Sequence, residues 1–147
     1  MTEDIAGGAS RKAIFEALRQ RDGGAHKREL CRITGLGWGT VGHHVYMLVR
    51  ASALVTEVHG RQLWVFLPEL GRGDRDWLVA TRTPSRKRLL DYIHSSQPKT
   101  INALSDEMAM SRKVIRTHLQ HLQRYGAVKP DEDYPPKYTT VEKRQRS

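Results

Sequence analysis

A segment near the start of this 147-residue chain returns about 75 positions later. Ser10-Arg11-Lys12-Ala13-Ile14-Phe15-Glu16-Ala17-Leu18 aligns with Ser85-Arg86-Lys87-Arg88-Leu89-Leu90-Asp91-Tyr92-Ile93 at an offset of 75. One residue is then lost, and an offset of 74 pairs Leu30 with Leu104, Leu36 with Met110, Val41 with Ile115, His44 with His118, Val45 with Leu119, Leu48 with Leu122 and Arg50 with Arg124. Ala53-Leu54 against Ala127-Val128 closes both copies. A period of this length is too long for a solenoid and points to a duplicated small domain.

Each copy reads as three helices followed by a hairpin. In the first, apolar residues at helical spacing predict a helix over 10–21, stopped by Asp22-Gly23-Gly24. Further helices follow over 26–33 and 39–51, and two β-rich runs, 54–58 and 61–67, flank His59-Gly60 before Pro68. The second copy gives helices over 85–95, 101–108 and 111–125, with Thr100 and Ser111 as N-caps. Its hairpin is poorer, because Asp131-Glu132-Asp133-Tyr134-Pro135-Pro136 is a long loop before the strand at 137–141. The expected organisation is a flexible N-terminus over 1–9, a first module over 10–68, a linker over 69–83 that docks through Trp77-Leu78-Val79, a second module over 84–141 and a frayed tail over 142–147.

Charge narrows the partners. The net charge is +9, divided as +2 over residues 1–70 and +7 over 71–147. A surface of that sign favours polyanions, and the second half should carry most of the affinity. One cysteine, Cys31, precludes an internal disulfide or a thiolate cluster and fits a reducing cytosol. Met1–Ala9 does not read as a signal peptide, and no apolar run nears the ~20 residues that span a bilayer, so a cytoplasmic protein without membrane contact is expected.

Arg28 to Leu36, with Thr40-Val41-Gly42-His43-His44-Val45 and Leu48, resembles the helix-turn-helix of MarR- and ArsR-like winged-helix regulators. Leu104 to Leu122 does so again, and Gly60-Arg61 to Leu67-Pro68 looks like the family's wing. The whole is similar to the tandem winged-helix regulators common in archaea. The resemblance implies a mainly α fold with small β-hairpin wings, two winged helix-turn-helix modules in tandem, and a DNA-binding transcription regulator without a cofactor. In such a motif the second helix enters the major groove. The stripe Ile115, His118, Leu119, Leu122 must face the core, which turns Arg112, Lys113, Arg116, Thr117 and Gln120 outward. Arg112 and Arg116 are the expected base readers, since a guanidinium can grip guanine bidentately. Lys113, Ser111, Arg86, Lys87, Lys99, Lys137 and the wing-tip Arg61 are expected DNA contacts, the lysines and arginines chiefly to phosphate, with His43 a further candidate on the first copy. The cations at 86–88 oppose the dipole of the helix they open, which favours a phosphate role for them.

The first copy turns Trp38, Gly39, Gly42, His43 and Met47 outward, with no Lys or Arg on that helix before Arg50. That face is read as relieved of DNA recognition and used for packing. On the last strand Leu63, Val65 and Leu67 share one face and Trp64 and Phe66 the other. The two aromatics are expected in a homodimer or inter-module interface. His44 and His118 fall on the inner stripe and read as packed, hydrogen-bonded histidines. His118 and His121 lack the further ligands that zinc needs, so no metal site is expected. Cys31 reads as a small buried residue. No phosphate loop, serine elbow or paired carboxylates appear, so an enzyme is not expected. Three other readings remain open: a nucleoid-type architectural binder, a protein-binding scaffold in a transcription or chromosome-organisation complex, and single-strand binding in which Trp38 stacks on a base, although a turn tryptophan tucked against the first helix is the commoner outcome.

Overall fold

The computed structural model describes the backbone of residues 2–142 and the side chains of residues 8–142. The chain divides into two compact units, Met1–Gly71 and Arg72–Ser147. Among the described residues there are seven helices and five strands, the latter in two small antiparallel sheets. Each unit is a winged helix-turn-helix.

The first unit runs α1 (Thr2–Gln20), β1 (Gly24–His26), α2 (Lys27–Thr34), α3 (Trp38–Arg50), β2 (Val55–His59) and β3 (Gln62–Phe66). Ile14, Ala17 and Leu18 of α1 and Val41, Val45 and Leu48 of α3 recur at helical spacing and meet over Leu30, Leu54, Val65 and Leu67 in one core. β3 lies between β1 and β2, with Gly24 opposite Phe66 on one side and Val55 opposite Phe66 on the other. Gly60 (φ 63°) and Arg61 make the wing turn, and the positive φ at its first position suits glycine. The turn lies one residue later than the sequence suggests. β1 is absent from the sequence reading, because three residues carry no periodicity. α1 also begins earlier than expected: the helix extends back to Thr2 through the segment read as flexible.

The loop joining α1 to α2 is fixed by charge. Glu29 is only 2% exposed, yet Arg21 donates from Nε and lies at 2.9 Å from the same carboxylate oxygen through Nη2. His26 caps α2 by accepting from the Glu29 amide, while the Glu29 carboxylate accepts from the His26 amide. A buried carboxylate so paired is a structural element, since an uncompensated one would be costly.

The second unit runs α4 (Arg72–Thr81), α5 (Pro84–His94), α6 (Ile101–Met108), α7 (Arg112–Arg124), β4 (Val128–Pro130) and β5 (Tyr138–Thr140). Its core joins Leu89, Leu90 and Ile93 of α5, Leu104 of α6, Ile115, Leu119 and Leu122 of α7, and Ala127-Val128. α6 and α7 match α2 and α3 residue for residue at an offset of 74. The third strand shrinks to a single bridge between Lys99 and Tyr138, in the place that β1 holds in the first unit.

The segment read as a linker over 69–83 is mostly α4. Val79 and Ala80 are buried, and Trp77 packs on the core of the second unit. The end of the tail, 143–147, lies outside the described residues.

Candidate nucleic-acid interface

α7 is started by Ser111, whose Oγ accepts from the Val114 amide at 3.1 Å. With Ile115, Leu119 and Leu122 buried, the opposite side of the helix exposes Arg112, Lys113, Arg116, Thr117 and Gln120. Val114 and Asn102 join this face and were not singled out from sequence. Val114 is 41% exposed among the cations and can meet a thymine methyl. Asn102, near the start of α6, accepts from Arg112 Nη1 at 3.4 Å. With Ser105, Asp106 and Ser111 these two line an open hollow of about 520 Å³ in the helix-turn-helix corner. Its polar lining gave no sequence signal, since α6 reads there as an ordinary polar helix face. Thr117 donates its hydroxyl to the Lys113 carbonyl at 3.0 Å, so it meets a ligand as an acceptor.

Three-dimensional contacts sort the cations. Lys113 and Arg116 make no side-chain ion pair or hydrogen bond among the described residues, and Arg112 makes only its long bond to Asn102. Other expected phosphate contacts are held within the chain. Arg86 donates to the Ala80 carbonyl at 2.7 Å, the Val79 carbonyl at 3.3 Å and Thr83 Oγ1 at 3.0 Å, and burial lowers its pKa. It caps the C-terminal end of α4, where a cation complements the helix dipole, and this accounts for a charge that is unfavourable on its own helix. Lys87 reaches both carboxylate oxygens of Asp91 at 2.8 Å. Lys99 lies 3.3 Å from Glu107, which also accepts from the Tyr92 hydroxyl.

The second wing is not a cationic finger. Asp131, Glu132 and Asp133 are exposed, and Lys137 sits 3.7 Å from Asp133. The Asp131 carboxylate accepts from the Lys137 and Asp133 amides, which lower its pKa and fold the loop back on itself. In the first wing Arg61 is exposed at the turn and makes no ion pair among the described residues. Beside it, His59 pairs with Glu57 at 2.8 Å.

The inner histidines are held by hydrogen bonds. Arg11 Nε donates to His44 Nδ1 at 3.4 Å, and His118 Nε2 lies 3.0 Å from Ser85 Oγ. Desolvation lowers the pKa of both, helped by His43 and Arg11 at His44 and by Arg86 and His121 at His118. His43 itself is exposed. Cys31 is half-buried against the first core.

Trp64 and Phe66 do not offer an exposed face to a second molecule. Both are buried within the chain, stacked at 5.8 Å with planes 15° apart, and His26 meets the indole edge-on at 5.5 Å.

No protein-family model and no curated protein matches the chain. Among solved structures it is similar to the mRNA-binding domain of elongation factor SelB from E. coli in complex with SECIS RNA, at 12% identity and a TM-score of 0.35, covering 90% of this chain and 98% of that one. ScpB from Mycobacterium tuberculosis is similar at 14% identity and a TM-score of 0.34, covering 90% and 89%. Likeness this distant says nothing about what the chain binds.

Proposed function

We propose that the chain binds duplex DNA through α7 and acts as a transcription regulator. The supporting observation is the sorting of charge: the three cations in the first turns of α7 are left unneutralised, at the start of a helix-turn-helix second helix where base edges are met. Arg112 and Arg116 read guanine, Lys113 and the first-turn amides hold phosphate, and Gln120 and Val114 extend the contact. The likeness of both helix-turn-helix segments to MarR- and ArsR-like regulators favours regulation over a purely architectural role. Such a protein works in the cytoplasm at the nucleoid. Among the described residues no helix is long and apolar enough to cross a membrane.

The test is fluorescence anisotropy of a labelled random duplex across a salt series. Each phosphate neutralised adds about 0.9 to the slope of log affinity on log salt. Arg112→Ala with Arg116→Ala should remove tight binding and flatten that slope; unchanged affinity at moderate salt overturns the assignment. Selection of bound fragments from random duplex then separates the roles, a shared sequence marking a regulator and its absence an architectural protein.

A further inference from the structure

We infer that the first unit carries a separate site for single-stranded nucleic acid, in which an unpaired base stacks on Trp38. Trp38 opens α3 and is 59% exposed; Tyr46, two turns further, is 58% exposed. Trp64 is buried and Trp77 is half-buried in the second unit, so Trp38 is the one exposed tryptophan among the described residues.

Each exposed aromatic carries its own cation. The Lys27 ammonium sits 3.9 Å from the centre of the Trp38 ring. The Arg50 guanidinium lies 5.8 Å from the Tyr46 ring and donates to its hydroxyl at 3.2 Å. Gly42 leaves room for the first pairing: a Cβ there would stand 2.9 Å from Lys27 Nζ, which as the end of a flexible side chain could shift to accommodate it. Lys27 comes from α2 and supplies the charge that α3 itself lacks before Arg50. The ammonium covers one face of the indole and orients it, so a base would stack on the opposite face of this exposed residue.

The chemistry around the platform selects the ligand class. Residues 27–50 contain Lys27, Arg28, Arg32 and Arg50 against one acid, Glu29, which is buried on Arg21. The exposed charge of α2 and α3 is therefore positive only. Single-strand binders combine a cationic surface that follows the backbone with aromatic platforms on which bases stack. Duplex reading is disfavoured here, because Trp38, Gly39 and Gly42 stand where α7 has Arg112, Lys113 and Arg116. A flat indole with one donor cannot make the bidentate grip those arginines offer, yet it suits the face of any unpaired base.

The experiment uses the full chain and fluorescein-labelled oligo-dT and oligo-U, read by anisotropy, with circular dichroism confirming the fold of each variant. Trp38→Ala should weaken binding of the preferred oligomer about 5- to 150-fold, and Trp38→Phe should restore most of it. Preference for either oligomer supports the site and tells DNA from RNA. In the Arg112→Ala, Arg116→Ala background the Trp38 effect should persist, so failure of the duplex reading leaves this result standing. The inference is overturned if neither oligomer binds, or if Trp38→Ala leaves binding unchanged. It is also overturned if the substitution lowers duplex affinity equally, or acts only on self-association measured by sedimentation.

Discussion

α3 and α7 are the same helix built twice, 74 residues apart, and they differ most on the side turned away from the core. Inward, Val41, Val45 and Leu48 answer to Ile115, Leu119 and Leu122, all buried. Outward, Trp38, Gly39, Gly42, His43 and Tyr46 answer to Arg112, Lys113, Arg116, Thr117 and Gln120. Packing holds the inner stripe, because a cavity or an overfilled core costs kilocalories wherever it occurs. The outer stripe stands clear of the core, its few contacts being with side chains outside that core, so it can change with little harm to the fold. A duplicated module can in this way keep its architecture while its two surfaces acquire different chemistry.

Several perturbations press on that contrast, beginning with the largest. Removing Arg112 and Arg116 together should cost about 2–6 kcal/mol of duplex affinity, at 1–3 kcal/mol for each base-reading arginine. Trading Gly39 and Gly42 for Lys and Arg would ask whether α3 can regain that role. If duplex affinity does not rise, the backbone setting differs as well as the side chains.

Next come the inner stripes. Leu48→Ala and Leu122→Ala should each destabilise by about 2–5 kcal/mol in denaturant titrations. Only Leu122→Ala should weaken duplex binding, since it loosens the helix that bears the arginines. Equal loss of binding from both would mean that the units do not divide the work.

A smaller effect is expected at the second wing. Glu132→Gln with Asp133→Asn removes two exposed negative charges and should raise duplex affinity a few-fold at low salt, fading as salt screens the wing. The turn before α7 offers a stability change of similar size. Ala109 takes a left-handed conformation (φ 56°) where the first unit has Gly35 (φ 74°). Ala109→Gly should therefore stabilise the second unit by about 0.5–1 kcal/mol, the left-handed strain of about 1–2 kcal/mol being partly offset by the freedom glycine gains when unfolded. No change in the denaturation midpoint would show that the strain is already relaxed.

The smallest and broadest effect is that of pH. The folded-state pKa values of His44, His118 and His121 are lowered, chiefly by desolvation. The unfolded chain therefore binds protons more readily. Stability should be full above the ordinary histidine value of about 6.5 and decline as pH falls through and below it. His118→Gln should blunt that decline in thermal melts between pH 7 and 5.

The duplication made much of this legible in advance. Matching apolar positions in two copies placed α2, α3, α6 and α7 and their buried residues, because helical spacing records burial directly. The exposed face of α7 followed from the same spacing. What escaped were features without period. β1 has three residues and is recognisable only by its pairing with β3. α4 lies in a polar stretch beginning Gly71-Arg72-Gly73, and besides Gly73 only Val79 and Ala80 are buried to mark it. The fate of Arg86, Lys87 and Lys99 depends on neighbours: Asp91 one helical turn away, the carbonyls of Val79 and Ala80, and Glu107 on another helix. Formal charge counts all of these alike, whereas a ligand meets only those left unspent.

The uneven sheets carry a dynamic consequence. β3 is paired with β2 over all five residues and with β1 over residues 64–66, while β5 is paired over three residues on one side and touched by a single bridge on the other. Opening free energy follows the number of bonds and contacts that must be released together. The amides of 138–140 should thus exchange with solvent well before those of 62–66. On the proposed function, the unit that binds DNA would then also own the looser flap, able to swing clear without unfolding the helices that hold its arginines in place.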